Sequence, residues 1–200
     1  MDAWWLVPMA YLTGSIQWGL IVVMLVQRVD VRSYGSGKTG VTNVLRTAGK
    51  GPALLVLLGD ASKGMAVVLA ARLLTDNASL HATVAGTVIA GHVWPVLAGF
   101  RGGRGIATGA AAAATLAPVV GLISVAVFTL AVVFTRYVSL GSVLAVGSVM
   151  AFFAVALAAE HYPMPYFLFS VTAGSLVVFM HRDNIRLLLR GTERRLGDRA

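Results

Sequence analysis

Long apolar segments separated by short polar linkers make up most of this chain. They cover residues 3–26, 52–74, 80–98, 105–135, 138–159 and 164–180. A helix needs about 20 predominantly apolar residues to cross a bilayer core about 30 Å thick, and all the segments except the fourth are near that length. The pattern therefore predicts an all-α integral membrane protein.

The fourth apolar segment is too long for one straight helix across the membrane. At about 1.5 Å per residue it would extend for about 46 Å. Pro118 lies near its middle, where it removes a helical hydrogen bond and clashes with the preceding turn. We therefore expect a break near Pro118, with a short helical half on each side.

The charges of the linkers predict how this broken segment crosses. Most basic residues lie in the first loop, in the third loop, after the fourth segment and in the C-terminal tail: Arg28, Arg32, Lys38, Arg46 and Lys50; Arg101 and Arg104; Arg136; Arg182, Arg186, Arg190, Arg194, Arg195 and Arg199. The other linkers carry acids, around Asp76 and Glu160. Because cytoplasmic loops are rich in lysine and arginine, we expect seven transmembrane helices, with the N-terminus outside and the C-terminus cytoplasmic. A five-crossing or re-entrant arrangement stays open, since the two halves at Pro118 are short.

The composition agrees with a membrane protein and narrows its chemistry. Of the 200 residues, 58% are hydrophobic and only 12% are charged, and the mean hydropathy is +0.81. In such a chain the net charge of +8 reports loop orientation, so no nucleic-acid partner is expected. The chain has no cysteine and its four histidines are dispersed, so we expect neither a disulfide nor a metal site.

The first apolar segment is interpreted as a retained helix. It is long enough to span, and Asp2 precedes it in place of the basic flank of a cleaved signal peptide. No internal repeat or long linker divides the chain, so residues 1–200 are expected to form a single polytopic membrane domain.

A glycine-rich sequence in the first loop, GSGKTGVTNVLRTAGKG from Gly35, suggests a nucleotide-binding P-loop at first sight. Gly37 to Thr39 match the end of that motif. The motif also needs a glycine five residues before Gly37, and that position holds Arg32. A P-loop is therefore excluded.

The same loop has the features of an anion site. Three glycines let backbone N–H groups converge: Gly35, Gly37 and Gly40. Thr42 or Asn43 is predicted to cap a short helix ended by Gly49, with Asn43 and Arg46 on one face. The alternative is a flexible loop whose basic residues serve only topology. That alternative leaves the directional groups of Ser36, Asn43 and Arg46 without a purpose.

A second glycine-rich loop, GFRGGRG, precedes the fourth apolar segment. Gly102, Gly103 and Gly105 surround Arg104 just before a predicted helix N-terminus, whose partial positive charge favours phosphate. The alternative is a tight turn between two helices. His92, about one turn before this loop, is more often a packing histidine than a catalyst.

The sequence after the last apolar segment, HRDNIRLLLRGTERRLG, combines polar and basic residues. His181 and Asn184 are three residues apart, so both face the loops if the last helix continues. Three arginines recur every fourth residue on an interfacial helix attracted to anionic headgroups: Arg182, Arg186 and Arg190. A basic juxtamembrane tail would explain the arginines alone, but not His181 and Asn184.

Asp60 and Lys63 place two charges inside the second apolar segment. Ionisable groups at that depth are costly and usually paired, and their spacing puts both on one helix face. A structural ion pair and a role in supporting the site are equally compatible with the pattern.

Taken in order, GSGKTGVTNVLRTAGK with LLGDASKG, GHVWPVLAGFRGGRGIATG and HRDNIRLLLRGTE resemble the motifs of the bacterial acyl-phosphate:glycerol-3-phosphate acyltransferases, the PlsY family. The resemblance covers nearly the whole chain. It implies a seven-helix enzyme of the bacterial plasma membrane, with a cytoplasmic active site and no cofactor. Such an enzyme transfers a fatty acyl group from acyl phosphate to the 1-hydroxyl of glycerol 3-phosphate, giving lysophosphatidate and phosphate.

The resemblance also implies roles for individual residues. The catalytic residues it implies are Ser36, Arg46, Arg104, His181 and Asn184. The substrate-binding residues it implies are Asn43, Gly102, Gly103, Gly105 and Glu193. The anion-site features of the first loop add Gly35, Gly37, Lys38, Gly40 and Thr42 to the predicted substrate-binding residues. The chain departs from the family at three positions: Lys38 replaces a common asparagine, Arg104 a lysine and Val41 an alanine.

Two mechanisms and two other classes of protein stay open. The hydroxyl of glycerol 3-phosphate attacks acyl phosphate directly, or an acyl-Ser36 intermediate forms with His181 as base. A transporter of a phosphorylated metabolite would also need basic residues, although transporters usually show internal repeats. A catalytically silent homologue that binds lipid is the other class. A monomer is compatible with the sequence, which does not determine the oligomeric state.

Overall fold

The computed structural model describes residues 3–198, which form ten α-helices and two short 3-10 turns, Val31–Ser33 and Val96–Ala98, with no strand in that range. The helices are α1 Leu6–Ser15, α2 Trp18–Gln27, α3 Val41–Ala48, α4 Lys50–Leu74, α5 Ala78–Val93, α6 Ile106–Leu116, α7 Pro118–Thr135, α8 Val138–Ala158, α9 Met164–Met180 and α10 Arg182–Leu189. The all-α prediction is confirmed for this range.

Most helices are long and apolar enough to cross a membrane. Five segments meet the length and hydropathy of a span: Leu6–Gln27, Lys50–Leu74, Ala78–Ala98, Pro118–Thr135 and Val138–Ala158. Helices α9 and α10 add a sixth only if they are counted together, and they are bent by 59°. The chain is therefore a multi-pass membrane protein. The count of seven crossings and the orientation of the termini stay predictions.

The break predicted near Pro118 is confirmed. Helix α6 ends at Leu116 and α7 begins at Pro118, where proline's missing N–H is not needed because the first turn has no intrahelical acceptor for it. Gly105 before α6 and Val138 after α7 line the same cavity, so this part of the chain leaves one end of the bundle and returns to it.

Helix α6 is too short to span a membrane by itself. Its 11 residues reach about 16 Å. The guanidinium of Arg72 donates a hydrogen bond to the carbonyl of Thr115, in the last turn of α6. This contact satisfies one of the carbonyls that a helix end leaves free.

A second break, between α1 and α2, is not evident from the sequence. Ile16 and Gln17 leave the helical conformation without a proline at either position. The Lys63 ammonium donates to the carbonyls of Gly14, at 3.0 Å, and Ile16, at 2.6 Å. Because an unsatisfied carbonyl inside a bilayer is costly, the buried lysine of α4 stabilises the break.

Two apolar clusters fix the helices around the polar loops. The larger joins α1, α4, α5, α6, α7, α8 and α9, and Leu80, Val88 and Phe153 are among its fully buried members. The smaller packs α3 and the first loop against α2 and α4 through Val23 and Val44. The first glycine-rich loop is therefore anchored on an apolar base.

Candidate active site

A cavity of about 430 Å³ opens where the two glycine-rich loops meet the end of α9. Its charged and imidazole groups, with most of its other polar groups, come from both loops, α4, α5 and the start of the C-terminal segment: Ser36, Lys38, Thr42, Asn43, Asp60, His92, Arg104 and His181. Helices α7 and α8 add only hydroxyl groups: Ser124, Thr129 and Ser142. Its other side is largely apolar, with Leu57, Ile106 and Phe128 among the residues there. The cavity thus joins a charged end to an apolar end.

The first loop is held by the side chain of Asn43. Its carbonyl oxygen accepts from the N–H of Ser36 at 3.0 Å, and its amide nitrogen donates to the carbonyls of Val31, Tyr34 and Lys38 at 2.9–3.1 Å. Asn43 is 3% exposed. In this structure its amide shapes the loop that presents Ser36 and Lys38.

The short helix predicted in this loop is present as α3, and Gly49 follows it with φ of 88°, as predicted. The predicted cap, Thr42 or Asn43, is wrong: the N-cap is Gly40. Asn43 lies within the first turn, and its side chain turns back to the loop carbonyls. Gly35 and Gly37 take left-handed φ values of 56° and 66°, which glycine adopts without strain.

The second loop packs directly on His92. A Cβ atom on Gly102 would overlap the His92 carbonyl, and one on Gly103 would overlap the His92 ring. The N–H of Gly103 donates to that carbonyl at 3.2 Å. Gly105 precedes α6 with φ of 85°. Glycine is therefore required here for close packing, and this packing brings Arg104 to the cavity.

Lys38 and Arg104 bring two cations to one cavity. Within residues 3–198 neither side chain forms an ion pair, and the Nε atom of Arg104 is buried without a hydrogen-bond partner there. Burial, with the charges of Arg104 and Arg182, lowers the pKa of Lys38 from its ordinary value. Burial also lowers the pKa of Arg104, although a guanidinium stays charged. This arrangement favours an anion.

His181 follows the last residue of α9 and lines the same cavity. Burial lowers its pKa to about 4, so its ring is neutral at pH 7. Its Nδ1 lies 2.8 Å from the carbonyl of Val177. A carbonyl only accepts, so Nδ1 carries the proton and Nε2 is left as an acceptor. A neutral acceptor suits a substrate hydroxyl.

Asn184 and Glu193 meet each other beside the cavity. The chain is helical on both sides of His181 but bends by 59° there, so α10 does not follow the line of α9. The Asn184 amide donates to the Glu193 carboxylate at 2.8 Å, and the Ser139 hydroxyl donates to the same oxygen at 2.8 Å. Asn184 and Glu193 therefore fasten the C-terminal segment to α8. No motif or spacing in the sequence pointed to Ser139.

Arg46 lies on α3 and lines a neighbouring cavity of about 830 Å³, together with Lys50 and Tyr34. Its guanidinium donates to the carbonyl of Arg194 at 3.5 Å. Arg46 therefore does not line the cavity of Ser36 and Arg104, although its charge is near enough to contribute to the lowered pKa of Arg104. Its catalytic role stays a prediction.

Asp60 and Lys63 form a buried ion pair of 2.9 Å, with His92 Nδ1 3.5 Å from the same carboxylate. Asp60 and His92 line the cavity, whereas the Lys63 ammonium binds carbonyls at the break between α1 and α2. The two interpretations of this pair are compatible in the structure: it is an ion pair, and it lies directly behind the two loops.

Comparison with known proteins identifies the family. A family model described as glycerol-3-phosphate acyltransferase matches residues 4–191. The chain belongs to the glycerol-3-phosphate acyltransferase family. Glycerol-3-phosphate acyltransferases of Rubrobacter xylanophilus and Halalkalibacterium halodurans are 45% and 41% identical to it, over 98% and 97% of this chain and 96% and 95% of theirs.

Solved structures agree with this membership. Two crystal structures of PlsY, described as an integral membrane glycerol 3-phosphate acyltransferase, are similar to this chain. The glycerol 3-phosphate form has a TM-score of 0.92 and 36% identity, and the lysophosphatidic acid form 0.89 and 35%. Each match covers 98% of this chain and 96% of the other. The identification of a PlsY-type membrane acyltransferase from three motifs is confirmed.

Proposed function

We propose that this protein transfers a fatty acyl group from acyl phosphate to the 1-hydroxyl of glycerol 3-phosphate, giving lysophosphatidate and phosphate for phospholipid synthesis. The observation that carries the proposal is the cavity itself. Its charged end presents Lys38 and Arg104 without ion-pair partners among the described residues, and its other end is apolar. The membership of the family supports the same reaction.

Two anionic substrates have to approach each other in this reaction. Their phosphates repel, and a poorly hydrated site strengthens the repulsion. Lys38 and Arg104 offset it, and the N-terminus of α6 adds partial positive charge next to Arg104. The acyl chain lies against the apolar residues between α6, α7 and α8.

The reaction needs little activation of the donor, because phosphate is a good leaving group. The glycerol 3-phosphate hydroxyl attacks the acyl carbon, the bond between that carbon and the phosphate oxygen breaks, and a phosphate oxygen takes the hydroxyl proton. Neutral His181 accepts a hydrogen bond from glycerol 3-phosphate at Nε2, and Ser36 donates one. Arg104 stabilises the departing phosphate.

Direct transfer is favoured over an acyl-Ser36 intermediate. A serine nucleophile is normally hydrogen-bonded to its base, and in the described part of the chain no hydrogen bond joins Ser36 Oγ to His181. Mass spectrometry of protein quenched during turnover tests this choice. Unmodified Ser36 is expected, and an acyl group on Ser36 would refute the direct route.

The loops with the cavity are proposed to face the cytoplasm of a bacterial plasma membrane, with seven crossings in all. The chain lacks cysteine, so single cysteines report topology cleanly. Arg190→Cys is expected to resist an impermeant thiol reagent in intact cells, whereas Asp76→Cys reacts. The reverse labelling would overturn the orientation.

The reaction itself is tested with purified protein in a lipidic medium. Palmitoyl phosphate and glycerol 3-phosphate together are expected to give lysophosphatidate and one equivalent of phosphate, and neither substrate gives product alone. Palmitoyl-CoA serves as the donor control and is expected to give none. Folded protein that yields no product with any donor would contradict the proposal. If palmitoyl-CoA with glycerol 3-phosphate gives product and palmitoyl phosphate gives none, the proposed acyl donor is wrong.

A further inference from the structure

Gln17 is a polar residue in the middle of an apolar segment, at the break between α1 and α2. It is 4% exposed. Its Nε2 donates to the carbonyl of His92 at 3.2 Å and to that of Gly14 at 3.4 Å. Its Oε1 accepts from the hydroxyl of Thr39 at 2.6 Å. Both ends of the Gln17 amide are therefore engaged.

These contacts reach both glycine-rich loops. Thr39 follows Lys38 in the first loop and is 1% exposed. The His92 carbonyl that accepts from Gln17 also accepts from the N–H of Gly103, the residue before Arg104. One buried amide thus stands between the segments that carry the two cations of the cavity.

The helix break gives the Gln17 amide this position. Gly19 lies so close to the first loop that a Cβ there would overlap the carbonyl of Thr39, so α2 packs directly on the loop backbone. Lys63 satisfies the carbonyls that the break exposes. Helix α4 therefore holds the backbone on which Gln17 is carried, and the two loops hold its amide.

We propose that Gln17 is a positioning residue that fixes the first loop against the second, so that Lys38 and Arg104 hold two phosphates side by side. This inference rests on the proposed function, because its kinetic test measures acyl transfer to glycerol 3-phosphate. A misplacement of about 1 Å in a reacting geometry costs on the order of a hundredfold in rate. An apolar replacement of Gln17 also leaves the Thr39 hydroxyl without its acceptor, while the His92 carbonyl keeps only the N–H of Gly103.

The test is a double-mutant cycle. Gln17→Met keeps the length of the side chain and removes its hydrogen bonds, and Thr39→Val keeps the shape and removes the hydroxyl. Each is expected to lower kcat/KM for glycerol 3-phosphate by about tenfold to a hundredfold, mainly through a higher KM. Since both remove the same contact, the double variant is expected to be no worse than the more damaged single variant.

Three further variants separate positioning from general damage. Thr39→Ser restores the hydroxyl and is expected to stay within about threefold of the unmutated enzyme. Gln27→Met makes the same change at an exposed glutamine of α2, whose amide donates only to the Thr47 carbonyl, at 3.4 Å. Thr83→Val matches Thr39→Val on an exposed position of α5. Both are expected to leave kcat and KM unchanged.

Binding of glycerol 3-phosphate measured by calorimetry distinguishes the two proposals. If the unmutated protein binds it but transfers no acyl group, the proposed reaction fails, while the loss of affinity in Gln17→Met still tests the positioning role. Folded Gln17→Met with affinity and KM within twofold of normal would overturn that role. Additive losses in the double variant would overturn the shared contact. If Gln17→Met does not fold, the comparison of Thr39→Val with Thr39→Ser decides.

Discussion

The two cations of the cavity and a histidine at the opposite end of the helix bundle differ in how fully their polar groups are bonded. At the loop end, which holds the glycine-rich loops and the cavity, Lys38 and Arg104 have no ion-pair partner among the described residues. At the far end, formed by the end of α4 and the starts of α5 and α9, His81 uses both ring nitrogens. One contacts the Tyr166 hydroxyl at 2.9 Å, the other the Thr75 carbonyl at 2.8 Å.

Arginine shows the same contrast. Arg72 at the far end donates to the carbonyl of Thr115 and so satisfies the end of α6. Arg104 at the loop end has a buried Nε without a partner in residues 3–198. Buried polar groups in proteins are normally satisfied. From this difference we infer that the far end serves stability and that the loop end needs a ligand to complete it.

Removing one arginine from each end is expected to show the largest difference between the two ends. Arg104→Ala is expected to lower kcat/KM by a hundredfold or more, because loss of one such donor costs about 10²–10³ in rate. Arg72→Ala is expected to change kcat/KM by less than threefold and to lower thermal stability. Acyl transfer and thermal unfolding of both variants check this. Equal losses of activity would contradict a difference between the ends.

The charge of Lys38 is expected to make the KM for glycerol 3-phosphate depend on pH. Because its pKa is lowered, the ammonium loses its charge at a lower pH than an ordinary lysine with a pKa of 10.5. The KM for glycerol 3-phosphate is therefore expected to rise as pH rises through that lowered pKa. Lys38→Met is expected to raise KM by about tenfold at pH 7 and to abolish this alkaline rise, since one charge-assisted contact to phosphate contributes about 1.5–3 kcal/mol.

Substrate ionisation provides the control for Lys38. The second pKa of a phosphate group is about 6, so the KM for glycerol 3-phosphate is expected to change below pH 7 in both the unmutated enzyme and Lys38→Met. This shared change is subtracted before the alkaline parts of the two profiles are compared. An unchanged alkaline profile in Lys38→Met would show that this lysine does not bind the substrate anion.

His81 is expected to give the smallest effect on activity. His81→Phe removes the partner of the Tyr166 hydroxyl, and an unsatisfied buried group costs about 1–3 kcal/mol. Thermal unfolding is expected at a lower temperature, with kcat and KM within twofold of normal below that temperature. Tyr166→Phe is the matched variant and removes the same contact. A loss of activity without a loss of stability would show that the far end takes part in the reaction.

Sequence patterns predicted the parts of the fold that rest on composition. The apolar segments, the break at Pro118 and the short helix ended by Gly49 follow from hydropathy and from proline and glycine. The break at Ile16 and Gln17 does not, because neither residue is a proline or a glycine and a single polar residue such as Gln17 does not by itself end a helix. It depends on Lys63, which is distant in sequence and reaches the freed carbonyls only in the folded protein.

The site was predicted only in part, because some of its contacts form only in the folded protein. Ser36, Lys38, Arg104 and His181 were singled out and line one cavity. Local spacing could not show that Asn43 bonds the loop carbonyls, nor that Arg46 lines the neighbouring cavity. Those outcomes depend on how α3 packs against the loop. Residue spacing likewise could not predict that Gln17 contacts both glycine-rich loops.

A crystal structure of the protein with glycerol 3-phosphate would test the proposed substrate site most directly. The phosphate is expected in the cavity between Lys38 and Arg104, with oxygens about 3 Å from both side chains. The glycerol hydroxyls should then lie on the side of His181. A phosphate bound instead by Arg46 and Lys50 in the neighbouring cavity, with Lys38 and Arg104 left without it, would contradict the account.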